Sequence, residues 1–166
     1  MNIIDGMIEE LKHEVSVTRR VLERIPDDKF GYTPHEKSFT MGSLASHVAD
    51  SLGWAVPTCT MDRMEFDAEN WEFWQGSTAS ELTAKLDENL AIAVDAMKPV
   101  TNEDLFKNWA MVDMQGNVML EMPRIQVLRS MLISHMIHHR GQLSVYLRIN
   151  DLPVPAIYGP SADEKG

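Results

Sequence analysis

His135 and His139 stand four residues apart in the segment Leu132-Ile-Ser-His135-Met-Ile-His138-His139-Arg140-Gly141-Gln142. On a helix, residues at this spacing are neighbours with Cβ atoms roughly 5–6 Å apart. Both imidazoles can then reach one ion at the roughly 2.0–2.1 Å of a nitrogen–zinc bond. Taken singly, each ring has a plainer explanation, since a core histidine usually hydrogen-bonds a backbone carbonyl or a hydroxyl; two on one seam weaken that explanation. One helix face offers only two well-placed rings, so a third ligand has to come from another helix. His47 is the candidate: it lies three residues after Leu44 and one before Val48, at the border of an apolar stripe. Three neutral nitrogens leave coordination positions open, the arrangement of a catalytic and not a structural metal site. The chemistry on offer there is activation of a nucleophile, because a cation eases the loss of a proton from a coordinated water or thiol.

Other polar residues near these positions have competing readings. Asp50, one turn beyond His47, can act as a general base or orient an imidazole, and can equally face solvent. Gln142, three residues after His139, can hydrogen-bond a water on the metal or pack in a polar pocket. His138 falls at the edge of the seam, Arg140 points about 100° away from His139 toward another helix or a partner subunit, and His13 and His35 read as solvated. Cys59, just after Pro57, reads as neither ligand nor nucleophile. The sequence holds no local signature of a Ser–His–Asp triad, a P-loop or a glycine-rich dinucleotide turn.

Four amphipathic stripes are available to position these groups. The first, over residues 3–25, carries Ile4, Ile8, Leu11, Val15, Thr18, Leu22 and Ile25 at steps of three and four, and closes at Pro26. The second runs Met41, Leu44, Val48, Leu52 and Val56, with Thr40 as N-cap and Pro57 as terminus. A third starts at Thr78-Ala-Ser-Glu81, which has capping-box spacing, and continues through Leu82, Leu86, Leu90, Ala93 and Met97. The fourth begins at Pro123 and carries Ile125, Leu128, Leu132, His135, His139, Gln142, Tyr146 and Ile149. His135 and His139 lie about 40° apart on its apolar arc.

Between the stripes, residues 57–77 have no clean period and read as a loop with short helical turns, whose Trp71, Phe73 and Trp74 need burial. Residues 109–122 surround Gly116-Asn117, which suits the turn of a short β-hairpin. The fold class read from this pattern is all-α: a four-helix bundle with crossover connections, one domain over residues 1–166, with that short hairpin between helices three and four.

Composition narrows the partners. With 25 acidic against 15 basic residues the chain carries a net charge of -10, which argues against binding a phosphate backbone. The single cysteine precludes an internal disulfide, and the amino-terminal residues lack the basic-then-apolar pattern of a leader. The chain therefore reads as cytoplasmic. No apolar run approaches the ~18 residues of a membrane span, and most of the twelve methionines read as core filler.

The segment Ser38-Phe-Thr-Met-Gly-Ser-Leu44-Ala-Ser-His47-Val-Ala-Asp50, the run from His135 to Leu143 with Tyr146-Leu-Arg148, and the closing Leu152-Pro-Val-Pro155-Ala-Ile-Tyr158-Gly159-Pro160-Ser161 together resemble the DinB/YfiT-like family. The resemblance is strongest over residues 38–52 and 131–161 and weak across 57–122. It implies a helical bundle that holds a divalent metal, nickel or zinc, through His47, His135 and His139, with His138 outside the ligand set. It also implies a homodimer acting on a small-molecule substrate, with a metal-activated low-molecular-weight thiol (or water) attacking an electrophile. The alternative is a metal-binding stress-response or sensor protein without turnover. Imidazole itself does not discriminate among zinc, nickel, copper and iron.

Overall fold

In the computed structural model, which describes residues 2–165, the chain begins with helix α1 (Ile3–Leu22), followed by a loop and α2 (Met41–Asp50). After a tight helical turn come α3 (Ala55–Thr60) and strand β1 (Arg63–Glu65), then α4 (Ala79–Met97) and α5 (Asn102–Phe106). A hairpin of β2 (Asn108–Val112) and β3 (Val118–Pro123) leads into α6 (Arg124–Val127), a wide π-helical segment over Leu128–Ser134, and α7 (His135–Ile149). Among the described residues, no helix is long and apolar enough to cross a membrane.

The four stripes build the core. Every stripe residue of α1 is buried, as is Ile25 just past its end, and α1 packs on α4 and α7 while α2 packs on the same two helices. Thr40 caps α2 by accepting a hydrogen bond from the Ser43 N–H at 3.1 Å. Thr78 does the same for α4 from Glu81 N–H, but the Glu81 carboxylate turns to the Ser77 N–H and hydroxyl instead of closing the box on Thr78. The reciprocal box forms between Thr101 and Asp104 at the start of α5.

Three features depart from the expectation. The molecule is helix-rich but not all-α, because the hairpin belongs to a three-stranded sheet of order β1-β2-β3. β1 pairs in parallel with β2, Met64 opposite Met111, and β3 pairs antiparallel with β2. A three-residue strand whose partner lies far downstream leaves no local period to read, and the parallel pairing requires the long crossover that α4 and α5 supply. The hairpin turn itself is as expected, with Gly116 at φ 84° where a side chain would be strained.

The second helix does not run on to Pro57. It ends at Asp50, where Ser51–Trp54 tighten into a 3-10 turn, and Pro57 sits in the first turn of α3, where its missing N–H has no intrahelical partner to lose.

In the last helix, the π-helical segment widens the turns just before His135 and rotates everything after it. The buried face becomes Leu128, Leu132, Met136, Arg140, Leu143 and Leu147, while Gln142 and Ile149 are exposed. His135 and His139 therefore border the core seam instead of lying inside it.

That rotation turns Arg140 inward. It is buried against α1, where it pairs with the Glu14 carboxylate at 2.7 Å and donates to the Glu14 carbonyl and the Thr18 hydroxyl. It also donates to the Tyr158 hydroxyl, which donates in turn to Glu14. The closing segment is thereby tied across α1 and α7, assisted by Arg20 and Arg24 on Glu164.

Candidate metal centre

α2 and α7 bring His47, His135 and His139 together at the end of the helical core. One ring nitrogen from each lies within 4.8 Å of the others, and all three rings are partly exposed. His47 Nε2 and His135 Nε2 are 2.7 Å apart. Ring centroids are separated by 4.9 Å for His47–His135, 4.8 Å for His47–His139 and 4.5 Å for His135–His139.

The electrostatics keep these rings neutral. Burial, followed by the neighbouring imidazoles, pushes His135 down to about 4. Burial and His139 lower His47, partly opposed by Asp50, and burial lowers His139 against the hydrogen bond to Gln142. At neutral pH each ring keeps a lone pair, as a metal ligand must. The three convergent imidazoles of His47, His135 and His139 form a group that could hold a divalent cation.

Gln142 accepts a hydrogen bond from His139 Nδ1 at 2.7 Å, leaving Nε2 as the lone-pair nitrogen. Phe39 stacks beside His47 with centroids 6.2 Å apart, and its carbonyl accepts from the Tyr146 hydroxyl, so the loop before α2 is held over α7.

An open cavity of about 380 Å³ adjoins the cluster, and His47, His135 and Asp50 contribute to its lining. Asp50 receives a long contact, 3.5 Å, from the Asn89 amide. Of the other histidines, His13 and His35 are exposed, whereas His138, also exposed, lies edge-on to His139 with ring centroids 4.9 Å apart. Burial raises the Cys59 thiol to about 11, so it stays protonated.

The sequence did not mark the cavity's far side. Met64 on β1 and Phe66, Trp71 and Phe73 from the following loop line it. Trp71 and Phe73 are exposed, not buried as their size suggested. The available signal was a cluster of aromatics in a stretch without helical period. The strand is set in place by Arg124, which bonds the carbonyls of Thr58 and Met61 and the Asp62 carboxylate, and by Trp109, whose indole donates to the Pro57 carbonyl.

A helix-rich fold with a small sheet and a three-histidine cluster across two helices defines the class of protein. The chain belongs to the DinB family, which it matches over residues 2–165. It is similar to the uncharacterized protein YrdA of Bacillus subtilis (strain 168), 25% identical over 161 residues, which span 97% of this chain and 91% of the relative. A DinB-like protein from Bacillus cereus ATCC 10987 superposes with a TM-score of 0.73 at 23% identity, covering 95% of this chain and 98% of that one. The DinB-like protein YjoA from Bacillus subtilis superposes with a TM-score of 0.66 at 20% identity, covering 89% and 96%. At these identities the structures establish the shared fold.

Proposed function

We propose that this chain is a divalent-metal-dependent transferase, in which His47, His135 and His139 hold the cation and a low-molecular-weight thiol, or water, is the nucleophile. The observation carrying this reading is the convergence of three neutral imidazoles at the mouth of an open cavity. A cation bound there supplies Lewis acidity, which lowers the pKa of a coordinated thiol or water and yields a nucleophile near neutral pH.

The chain's own residues provide the rest. The Gln142 carbonyl holds the proton of His139 on Nδ1, which leaves the lone pair on Nε2. Asp50 lines the same cavity one turn from His47 and offers a carboxylate to accept the proton released by the nucleophile. An open cavity supports this catalytic reading over a sensor with a sealed metal.

The test is a thiol-consumption assay of the metal-loaded protein with an aromatic electrophile such as chlorodinitrobenzene. The thiolate sulfur forms the new bond to carbon while chloride leaves with the electron pair of the broken bond. Turnover that requires the metal and is lost in His135→Ala supports the reading. No consumption of any of a panel of thiols and electrophiles by fully metal-loaded protein overturns it.

A further inference from the structure

The cavity beside the histidines is built unlike a site for an ionic molecule. Its lining is predominantly apolar and includes four aromatic side chains, Trp54, Phe66, Trp71 and Phe73, and two thioethers, Met64 and Met131. The rings follow one another outward from the cluster: Phe73 lies edge-on to His47 at 6.0 Å, Trp71 edge-on to Phe73 at 6.4 Å, and Phe66 against Trp71 at 4.9 Å. Among the described residues, no lysine or arginine lines the cavity, and Asp50 is its one charged side chain.

A carboxylate, sulfonate or phosphate on the part of a ligand that lies along these rings would have no cation to pair with and would face Asp50. An unpaired ion in such surroundings is strongly disfavoured. Flat apolar molecules, by contrast, gain from edge and offset contacts with the rings. The volume, about 380 Å³, suits a small organic molecule, since ligand pockets run from roughly 300 to 1,000 Å³.

We infer that this cavity selects an uncharged, planar, largely apolar acceptor, seated on the Phe73–Trp71–Phe66 rings with its reactive atom toward the histidine cluster. This rests on the proposed function for the orientation of the acceptor, but the selection against anions depends on the cavity lining alone.

The experiment is a calorimetric titration of the full-length protein with two probes of matched shape, naphthalene-2-methanol and 2-naphthoate, before and after metal loading. In chelator-treated protein the neutral probe should bind at least about tenfold more tightly than the anion, an unpaired charge costing more than that factor. Trp71→Ala and Phe73→Ala, both at exposed positions, should each weaken the neutral probe by about fivefold or more, and Asp50→Asn should narrow the gap between the probes. Equal or tighter binding of 2-naphthoate by the chelator-treated protein overturns the inference, as does unchanged neutral-probe affinity in both aromatic variants. Protein that binds no metal yet keeps the preference for the neutral probe sinks the transferase proposal and leaves the selectivity standing; metal binding without the preference does the reverse.

Discussion

Gln142 and His139 form a hydrogen bond of 2.7 Å between the amide oxygen and Nδ1, one turn apart on α7. The amide oxygen can only accept, so the imidazole proton is held on Nδ1 and the lone pair on Nε2. Loss of such an orienting partner typically weakens a metal site by about 10–100-fold. Gln142→Ala should therefore lower metal affinity by about tenfold or more, and Gln142→Glu should restore most of it. A competition titration against a chromophoric chelator measures both; equal affinity in Gln142→Ala and wild type would remove the orienting role.

Acid should act on this protein in a defined window. His135 titrates at about 4 in the folded chain against an ordinary 6.5. Between those values the unfolded chain takes up a proton that the folded metal-free chain refuses, so stability falls as pH drops from 6.5 toward 4 and is unaffected above that range by this group. Bound metal should persist below the ordinary imidazole midpoint, because all three rings are held below their usual value, and be lost by the time the pH nears 4, where His135 itself protonates. Thermal melts of metal-free protein, paired with metal content after dialysis at each pH, check both statements. A melting temperature that rises as pH falls across this window would show the sign to be wrong.

The buried pair of Arg140 and Glu14 joins α7 to α1, with Tyr158 bridging the two side chains. Removing one partner strands the other charge in the core, at a cost of about 3–5 kcal/mol. Arg140→Met should destabilise by that amount in urea denaturation, and the double variant Arg140→Met with Glu14→Gln should recover a large part of it. A double variant no more stable than Arg140→Met would mean that the loss came from packing and not from the stranded carboxylate.

Gly42 opens the helix that carries His47 and lies directly under Phe30. A Cβ added there would meet Phe30 Cδ1 at 2.6 Å. Gly42→Ala should cost about 1–3 kcal/mol through forced repacking, whereas Gly53→Ala, which meets nothing within 4 Å, should not show that loss. Denaturation midpoints of the two variants decide the comparison.

Much of the frame was legible because burial imposes a helical period: all seven stripe residues of the first helical stretch are buried, and Thr40 and Thr78 cap where their hydroxyls suggested. The convergence of His47 with His135 and His139 was also foreseeable, the pair from spacing and His47 from its place at the border of the second stripe, a reading the family resemblance strengthened. What escaped depends on non-local or backbone effects. β1 exists because Arg63–Glu65 find β2 across a long crossover, and the break after Asp50 is a change of turn type within an unbroken apolar pattern. The π-helical segment shifts hydrogen bonds without changing residue types, yet it moves Arg140 into the core and Gln142 out to the rim. Extrapolating an ideal helix through Leu128–Ser134 therefore placed the histidines too deep.

Metal analysis of protein purified without a histidine tag, by plasma mass spectrometry on wild type and on His47→Ala, His135→Ala and His139→Ala, bears most directly on the three-histidine centre. The account predicts about one equivalent of a divalent metal in wild type and under ~0.1 equivalent in each variant, with helical circular dichroism retained in all four. Stoichiometric metal in any of the three variants, or under ~0.1 equivalent in wild type after loading, would contradict it.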